Sequence, residues 1–358
     1  MKIAVLVSGG VDSSVALNIL KEQGHDVTAF YLKIWLEDEL SSIGMGDCPW
    51  EEDLRYVREV CKQLDVPLEV ISLQKEYWDH VVSYTIKEVK AGRTPNPDVF
   101  CNKLIKFGFF FDKIKDDFDK VASGHYARVT ESGGVFQLEI SPDEIKDQTY
   151  FLSYLDQKQL SKILFPIGSM AKERVRERAR MYDLANKDRK DSQGICFLGK
   201  FKFEEFVKHH LGEVPGDIIQ AETGKKLGEH KGFWYHTIGQ RRGSGLSGGP
   251  WYVVAKDTEK NIVYVSNTYY TEDKIRDTFE VANINWISGK RPEKRGLQVK
   301  VRHGKHKYNA TIDFIDDTSV KVRLDGRDQG IAPGQFAVFY DENVCLGGGI
   351  ITKSIEIC

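Results

Sequence analysis

The run Ser8-Gly9-Gly10-Val11-Asp12-Ser13-Ser14 sets two glycines, three hydroxyls and a carboxylate between an apolar stretch, Lys2 to Val7, and a stretch with helical apolar spacing, Val15 to Lys21. Such a turn lies where the carboxyl end of a strand meets a helix N-terminus, a place that binds anions. Gly9 and Gly10 let backbone N–H groups reach phosphate oxygens with no Cβ in the way, and the serines add donors. The turn lacks the lysine of a GxxxxGK(S/T) loop. That argues against γ-phosphoryl transfer and for splitting ATP between its α- and β-phosphates, with pyrophosphate left in the turn. The plainer alternative is an ordinary glycine-rich connection.

Two further strings surround cysteines. In Gly92-Arg93-Thr94-Pro95-Asn96-Pro97-Asp98-Val99-Phe100-Cys101 two prolines stiffen an extended loop that should deliver Asp98 and Cys101 to the start of a helix. There the helix dipole favours a thiolate, and Lys103 and Lys106 add positive charge. The second string, Asp191-Ser192-Gln193-Gly194-Ile195-Cys196-Phe197-Leu198-Gly199, sets a thiol among apolar neighbours after a polar turn. Each cysteine alone is more often a packed small hydrophobe, and only beside the cradle does the balance turn toward chemistry. The remaining four, Cys48, Cys61, Cys345 and Cys358, form no CxxC pair or metal-ligand spacing, so zinc and a disulfide framework are poorly supported.

These residues need elements to hold them. Lys2–Val7, Asp26–Leu32, Leu68–Ser72 and Lys120–Ser123 read as strands, alternating with helical stretches at Ser13–Gln23, Glu51–Leu64 and Lys75–Lys90. The expected fold is α/β, a doubly wound parallel sheet whose ligand lies outside the carboxyl ends of its strands. From about Gly212 the pattern turns to short strands with Gly and Pro turns, a small β-rich module. After Asn267 strands near Leu297–Arg302, Tyr308–Phe314, Ser319–Leu324 and Gln335–Tyr340 suggest a small β-barrel. The expected domains are 1–205, 206–272 and 273–358.

The chain's 358 residues suffice for two or three domains; 41% are hydrophobic, 29% are charged, and the formal net charge is −2. No apolar run approaches a membrane span, and a core strand beginning at Lys2 leaves no room for a leader, so a soluble cytoplasmic protein is expected. Charge is uneven. Lys290 to Lys307 holds eight basic residues against Glu293 alone, and Lys172 to Lys190 holds eight against four acids. Both fit a polyanion footprint or a merely solvated face.

The order SGGVDSS resembles the signature of the N-type ATP pyrophosphatases, the PP-loop superfamily. With GRTPNPDVFCNKLIKFG, SGHYAR, KDQTYFLSYL, FPIG, DSQGICFLG, TIGQRRG and LGGG in this order, nearly the whole chain resembles the bacterial and organellar tRNA-specific 2-thiouridylases. The resemblance implies ATP contacts at Leu6, Val7, Ser8, Gly9, Gly10, Val11, Asp12, Ser13 and Gly124. Leu32 stands where the family often has methionine against adenine. It implies Cys101 as nucleophile, Cys196 as persulfide carrier and Asp98 as the proton-handling residue. It also implies tRNA contacts at Asn96, Pro97, Asp98, His125, Lys146, Asp147, Gln148, Arg302, His303 and Gln335. Ile34 to Trp50 departs from the common family text, and the segment between Glu131 and Lys146 is short.

The implied reaction uses ATP and Mg²⁺, the metal held by the phosphates and Asp12. ATP adenylates the C2 oxygen of the wobble uridine, and persulfide sulfur then displaces AMP. The implied partners are a tRNA of the Lys, Glu or Gln type and a persulfide-donating sulfur-relay protein or cysteine desulfurase, with no membrane. Two rivals differ in kind. A small-molecule AMP-forming ligase would need neither loop cysteine, and an RNA-binding module with a relic nucleotide fold would not keep SGGVDSS intact.

Overall fold

The computed structural model describes residues 1–34, 49–191, 203–241, 243, 245–268 and 276–355. β1 (Lys2–Leu6) and β2 (Asp26–Lys33) are nearly continuous apolar runs, buried on both faces as central parallel strands must be. With β3 (Leu68–Ser72), β4 (Lys120–Ser123) and β7 (Ile163–Leu164) they form a five-stranded sheet in the order β3-β2-β1-β4-β7. All four pairings are parallel. The chain order reverses beside β1, so the crevice between the carboxyl ends of β1 and β4 is the ligand position of such a sheet. α1 (Val11–Glu22) and α2 (Pro49–Leu64) cover the sheet, and α3 (Lys172–Met181) packs on α1 through Val175 and Ala179.

A hairpin of β5 (Ala127–Ser132) and β6 (Val135–Ile140) leaves this domain and joins the last module. That module is a closed six-stranded barrel of β12 (Thr278–Trp286), β13 (Gly296–Lys300), β14 (Tyr308–Phe314), β15 (Val320–Leu324), β16 (Phe336–Asp341) and β17 (Val344–Ile355). The pairing of β12 with β17 closes the ring, and β6 adds to β17 through Cys345 opposite Leu138. β12, β17 and the β5–β6 hairpin were absent from the sequence reading. The barrel has its own core, including Phe279, Val299, Ile312 and Phe339, but Phe336, Val338, Tyr340 and Cys345 pack into the core of the first domain.

Between them lies a four-stranded sheet of β8 (Gly216–Gln220), β9 (Lys226–His230), β10 (Tyr252–Asp257) and β11 (Ile262–Ser266), in the order β10-β11-β8-β9. Its small core contains Ile218, Phe233, Trp251 and Val263. α4 (Phe203–Leu211) runs across position 205, and its Phe206 and Val207 pack into the core of the first domain. Among the described residues no helix is long and apolar enough to cross a membrane.

Candidate active site

The glycine turn is built by local hydrogen bonds. Gly9 has φ +77°, a left-handed conformation that suits glycine, and Gly10 is the N-cap of α1. Ser13 Oγ donates to the Gly10 carbonyl at 3.0 Å and accepts from the Ser8 N–H at 3.2 Å, while Ser14 Oγ donates to Gly10 at 3.1 Å. Leu6, Val7, Val11 and Ser13 are buried supports, and Ser8 is exposed at the mouth. Leu32 sits half-buried near the carboxyl end of β2, at the same edge of the sheet. Gly124 closes the turn from β4: a Cβ there would lie 2.7 Å from the Ser13 nitrogen. A close approach of two backbones beside open helix N–H groups fits a polyphosphate.

The far wall comes from the segment 172–191, most of which is the basic run Lys172 to Lys190 that fits either a polyanion footprint or a solvated face. Its inward cations instead face carboxylates of the cradle. Lys172 Nζ lies 2.7 and 2.9 Å from the two oxygens of Asp12, and 2.7 Å from Asp191 Oδ1. Asp191 also takes Lys146 at 2.8 Å and pairs with Arg176. Burial alone would raise the Asp191 carboxyl, but hydrogen bonds from Lys146 and Lys172, with their charges, hold it far below the usual carboxylate range. The Tyr126 hydroxyl donates to Asp12 at 2.8 Å, and burial and the Asp12 charge raise its pKa, keeping it a donor. Buried Asn186 donates to the Gly9 carbonyl at 2.8 Å and to Ser14 Oγ at 2.9 Å, and its own Oδ1 has no partner. Arg189 pairs with Asp53 against Gly9. Asn186 was not singled out from sequence, and Lys172, Tyr126 and Asp191 stood there only as members of the basic run, of SGHYAR and of DSQGICFLG, with no role at the cradle, because their partners lie far away in the chain.

Pro97–Phe100 opens a helical run continued by a π-helical stretch, Cys101–Phe109. Cys101 therefore lies one turn inside the helix rather than at its start, in an apolar cluster and 1% exposed. Lys103 is drawn away to Asp156 at 2.8 Å, and Lys106 donates to Asn102 Oδ1 at 3.0 Å. Pro97 is buried and Asp98 half-buried in the first turn. The preceding loop is wedged between modules. The Thr94 N–H donates to Pro333 of the barrel at 2.8 Å, a Cβ on Gly334 would strike Arg93 and Thr94, and one on Gly92 would lie 2.5 Å from Thr258 of the central sheet. Cys196 lies outside the described residues, as do Cys48 and Cys358. Cys61 and Cys345 are packed hydrophobes whose thiols burial pushes up to about 11 and about 12.

The residues expected to meet tRNA divide into two sets. Asn96 hydrogen-bonds the buried Tyr150 side chain, the neighbouring Phe151 ring lies 4.6 Å from that of His303, and Tyr150 donates to Phe336 next to Gln335. Arg302 is exposed and pairs with Asp328, while Gln335 Oε1 is buried without a partner. His125, beside Gly124, holds Ser123 Oγ at 2.8 Å, and burial followed by the Lys106 charge keeps its ring neutral. Lys146, Asp147 and Gln148 are engaged within the protein. Lys146 holds Asp191, Gln148 exchanges hydrogen bonds with the Tyr126 backbone, and Asp147 forms a buried bridge to Lys300 at 2.9 Å. Of the basic run 290–307, Arg291, Lys294, Arg295, Lys300 and Arg302 each lie near a carboxylate.

Fold and site together define an α/β enzyme whose strand, glycine turn and helix form a cradle shaped for an anion. Family models described as tRNA methyl transferase HUP domain, tRNA methyl transferase PRC-barrel domain and aminomethyltransferase beta-barrel domain match residues 1–200, 204–267 and 276–351. The curated relatives include the tRNA-specific 2-thiouridylase MnmA of Parabacteroides distasonis, 47% identical over 98% of this chain and 99% of that one. MnmA 1 of Bacteroides thetaiotaomicron is 45% identical over 99% of this chain and 100% of its own length. MnmA of Porphyromonas gingivalis is 44% identical over 99% of both. The chain belongs to this family, whose members matched end to end are tRNA-specific 2-thiouridylases.

Proposed function

We propose that the protein is a tRNA-uridine 2-sulfurtransferase, acting on the wobble uridine at the expense of ATP. The observation that carries this is the cradle of Gly9, Gly10, Ser13 and Gly124, in a chain related end to end to 2-thiouridylases and carrying a thiol, Cys101, on the Asp98 helix. The C2 carbonyl of uracil is a poor electrophile. Its oxygen attacks the α-phosphorus of ATP, pyrophosphate leaves into the cradle, and the C2–O bond becomes a leaving bond. Asp98 handles the uridine proton. The terminal sulfur of a Cys196 persulfide then bonds to C2, AMP leaves with the original oxygen, and the Cys101 thiolate takes up the Cys196 sulfur as a disulfide that an external thiol reduces.

Mg²⁺ is proposed on Asp12 with the phosphates. No group of three or more His, Cys, Asp or Glu poised to bind a metal occurs among the described residues, and Mg²⁺ commonly takes one or two carboxylates plus substrate phosphates, so a single Asp12 suits it. When bound it neutralises charge on the departing pyrophosphate. Arg302, His303, Gln335, Asn96, Pro97 and His125 are proposed to face the tRNA, with Lys146-Asp147-Gln148 holding their scaffold. The domains are drawn at 1–205, 206–272 and 273–358, the working compartment is the cytoplasm, and the sulfur comes from a relay protein or a desulfurase.

The test is mass spectrometry of tRNA after incubation with the protein, ATP, Mg²⁺ and a sulfur source. A sulfur-for-oxygen exchange at the wobble uridine, with one pyrophosphate released per exchange, is expected. Release of pyrophosphate that ignores tRNA would overturn the reading. Cys101→Ser should still adenylate but stall with the sulfur held on Cys196, as the persulfide or as a disulfide joining Cys196 to C2 of the uridine, and persulfide found on Cys101 alone would reverse the two roles.

A further inference from the structure

The helix that carries Cys101 is wound more widely than an α-helix. From Cys101 to Phe109 it is π-helical, the Phe110 N–H reaches back five residues to the Ile105 carbonyl, and a Cβ on Gly108 would sit 3.0 Å from the Lys103 carbonyl oxygen. Both ends of this stretch are fixed in the core. Pro97 and Val99 are buried ahead of it, and Ile105, Phe107 and Phe110 are buried along its far half and just beyond. Between those anchors the chain spends more residues than an α-helix would use in the same turns.

Gln159, from the helical turn Gln157–Leu160, fits this winding alone. Its Nε2 donates to the carbonyls of Lys103 at 2.8 Å and of Phe107 at 2.9 Å, while its Oε1 accepts from the Asp156 N–H at 3.2 Å. Two such bonds from one nitrogen keep their acceptors within about 5.7 Å of each other, whereas four residues of α-helix rise about 6 Å along the axis alone. The amide therefore closes only on the flatter π turn. Asp156 accepts from the Gln159 N–H at 2.9 Å and from Lys103 Nζ at 2.8 Å, so the clasp is itself held in place.

We propose that Gln159 is a positioning residue for sulfur transfer: it locks the helix behind Cys101 in the π register and so aims the Cys101 thiol. Released from the clasp, the stretch can rewind toward an α-helix. With both ends anchored, the surplus is taken up at Cys101 and its neighbours, which turn by about 100° for each residue displaced. Asp98 stays with the buried Pro97 and with the Thr94 N–H held by Pro333 of the barrel. Adenylation is thus spared and sulfur transfer is not. This rests on the reading of Cys101 as the thiol of that step.

The experiment is a single turnover with the full-length protein in excess over tRNA, with ATP, Mg²⁺ and, as the sulfur source, cysteine plus a cysteine desulfurase. Pyrophosphate and 2-thiouridine are followed in the same quenched samples. Gln159→Leu should release pyrophosphate within about twofold of the wild-type rate and form 2-thiouridine about ten- to a hundredfold more slowly, the loss expected when a reacting group is misplaced by roughly 1 Å. Gln159→Glu, which keeps the length and the acceptor but not the two donors, should show the same split. Gln157→Leu is the comparison: it frees the Phe136 and Ile287 carbonyls at the same turn without touching the Cys101 helix, and should leave both rates within about twofold. Where a Gln159 variant fails to fold, Gln159→Met, unbranched and without donors, gives the same test. Unchanged 2-thiouridine formation in the Gln159 variants, equal slowing of both rates, or the same split in Gln157→Leu would overturn the proposal. Full thiolation by Cys101→Ser would instead overturn the reading of Cys101.

Discussion

Lys146 and Asp147 are adjacent in sequence and enter two ion-pair networks of opposite character. Lys146 joins the network of Asp191, Lys172, Arg176 and Asp12, whose members remain partly open to solvent and share partners. Asp147 joins Lys300 in a closed pair, 2% and 3% exposed, which Thr149 and the Ser141 N–H complete. The chemistry is the same, carboxylate with ammonium. The difference is redundancy and water. A shared, half-wet network can exchange a partner for a ligand, whereas a dry, saturated pair holds two modules in register and can do little else.

That contrast can be broken most severely at Lys300. Lys300→Met leaves Asp147 buried without its cation and should lower unfolding stability by about 3–5 kcal/mol in urea melts, with Lys300→Met/Asp147→Leu restoring most of it. A loss under about 1 kcal/mol would show that water reaches the pair. The open side is probed at Gly124. Gly124→Val places a Cβ within 2.7 Å of the Ser13 nitrogen and parts β4 from α1, so tRNA-dependent pyrophosphate release should drop on the order of a hundredfold. Unchanged release would disconnect the cradle from the chemistry.

Acid should strike the central module. His236, buried in the central module, is held down to about 4 by burial, then by the charges of His230 and Lys256, and His230 is lowered chiefly by burial. Both folded values lie below the ordinary one, so the unfolded chain takes up protons that the folded chain refuses. Stability should fall as pH drops from about 6.5 toward 4, by up to about 1.4 kcal/mol per pH unit for each ring. A His236→Phe variant that melts with the same pH slope as the wild type would locate the lability elsewhere. The smallest effect is expected on the outer barrel. Arg302→Ala with Lys305→Ala should flatten the salt dependence of tRNA binding by roughly 0.7 to 0.9 per lost phosphate contact, and an identical slope would mark that face as merely solvated.

Where apolar and β-branched residues run together between turns, sequence is an adequate guide. Leu68–Ser72, Lys120–Ser123 and Tyr308–Phe314 are strands with the bounds that their apolar and β-branched content suggests. β17 escaped because Gly347-Gly348-Gly349 reads as a turn, yet these glycines lie within a strand crossed closely by β12. A Cβ on Gly347 would fall 2.0 Å from the Asn285 carbonyl oxygen. β12 carries Asn283 at φ +54°, a break in its alternation. The cradle was legible because glycine, serine and aspartate act there through local backbone geometry. Its far wall was not. Asp12 and Lys172 meet through tertiary packing of α1 on α3, which no local period encodes, and a run of lysines and arginines looks the same whether it awaits RNA or has already found carboxylates.

The pairing of β6 with β17 has a consequence in the order of synthesis. The ribosome delivers the β5–β6 hairpin roughly two hundred residues before the strand that completes its sheet, so one edge of β6 stays open while the central module and most of the barrel emerge. Until β17 arrives, that edge is a template for whatever strand is nearest. Glu139 and Gln137 along β6, with Gln157 holding the Phe136 backbone, keep the waiting edge polar and partly occupied. A nascent chain stalled before Val344 would carry the first domain folded but unsealed, and a separately expressed barrel would carry the complementary scar on β17.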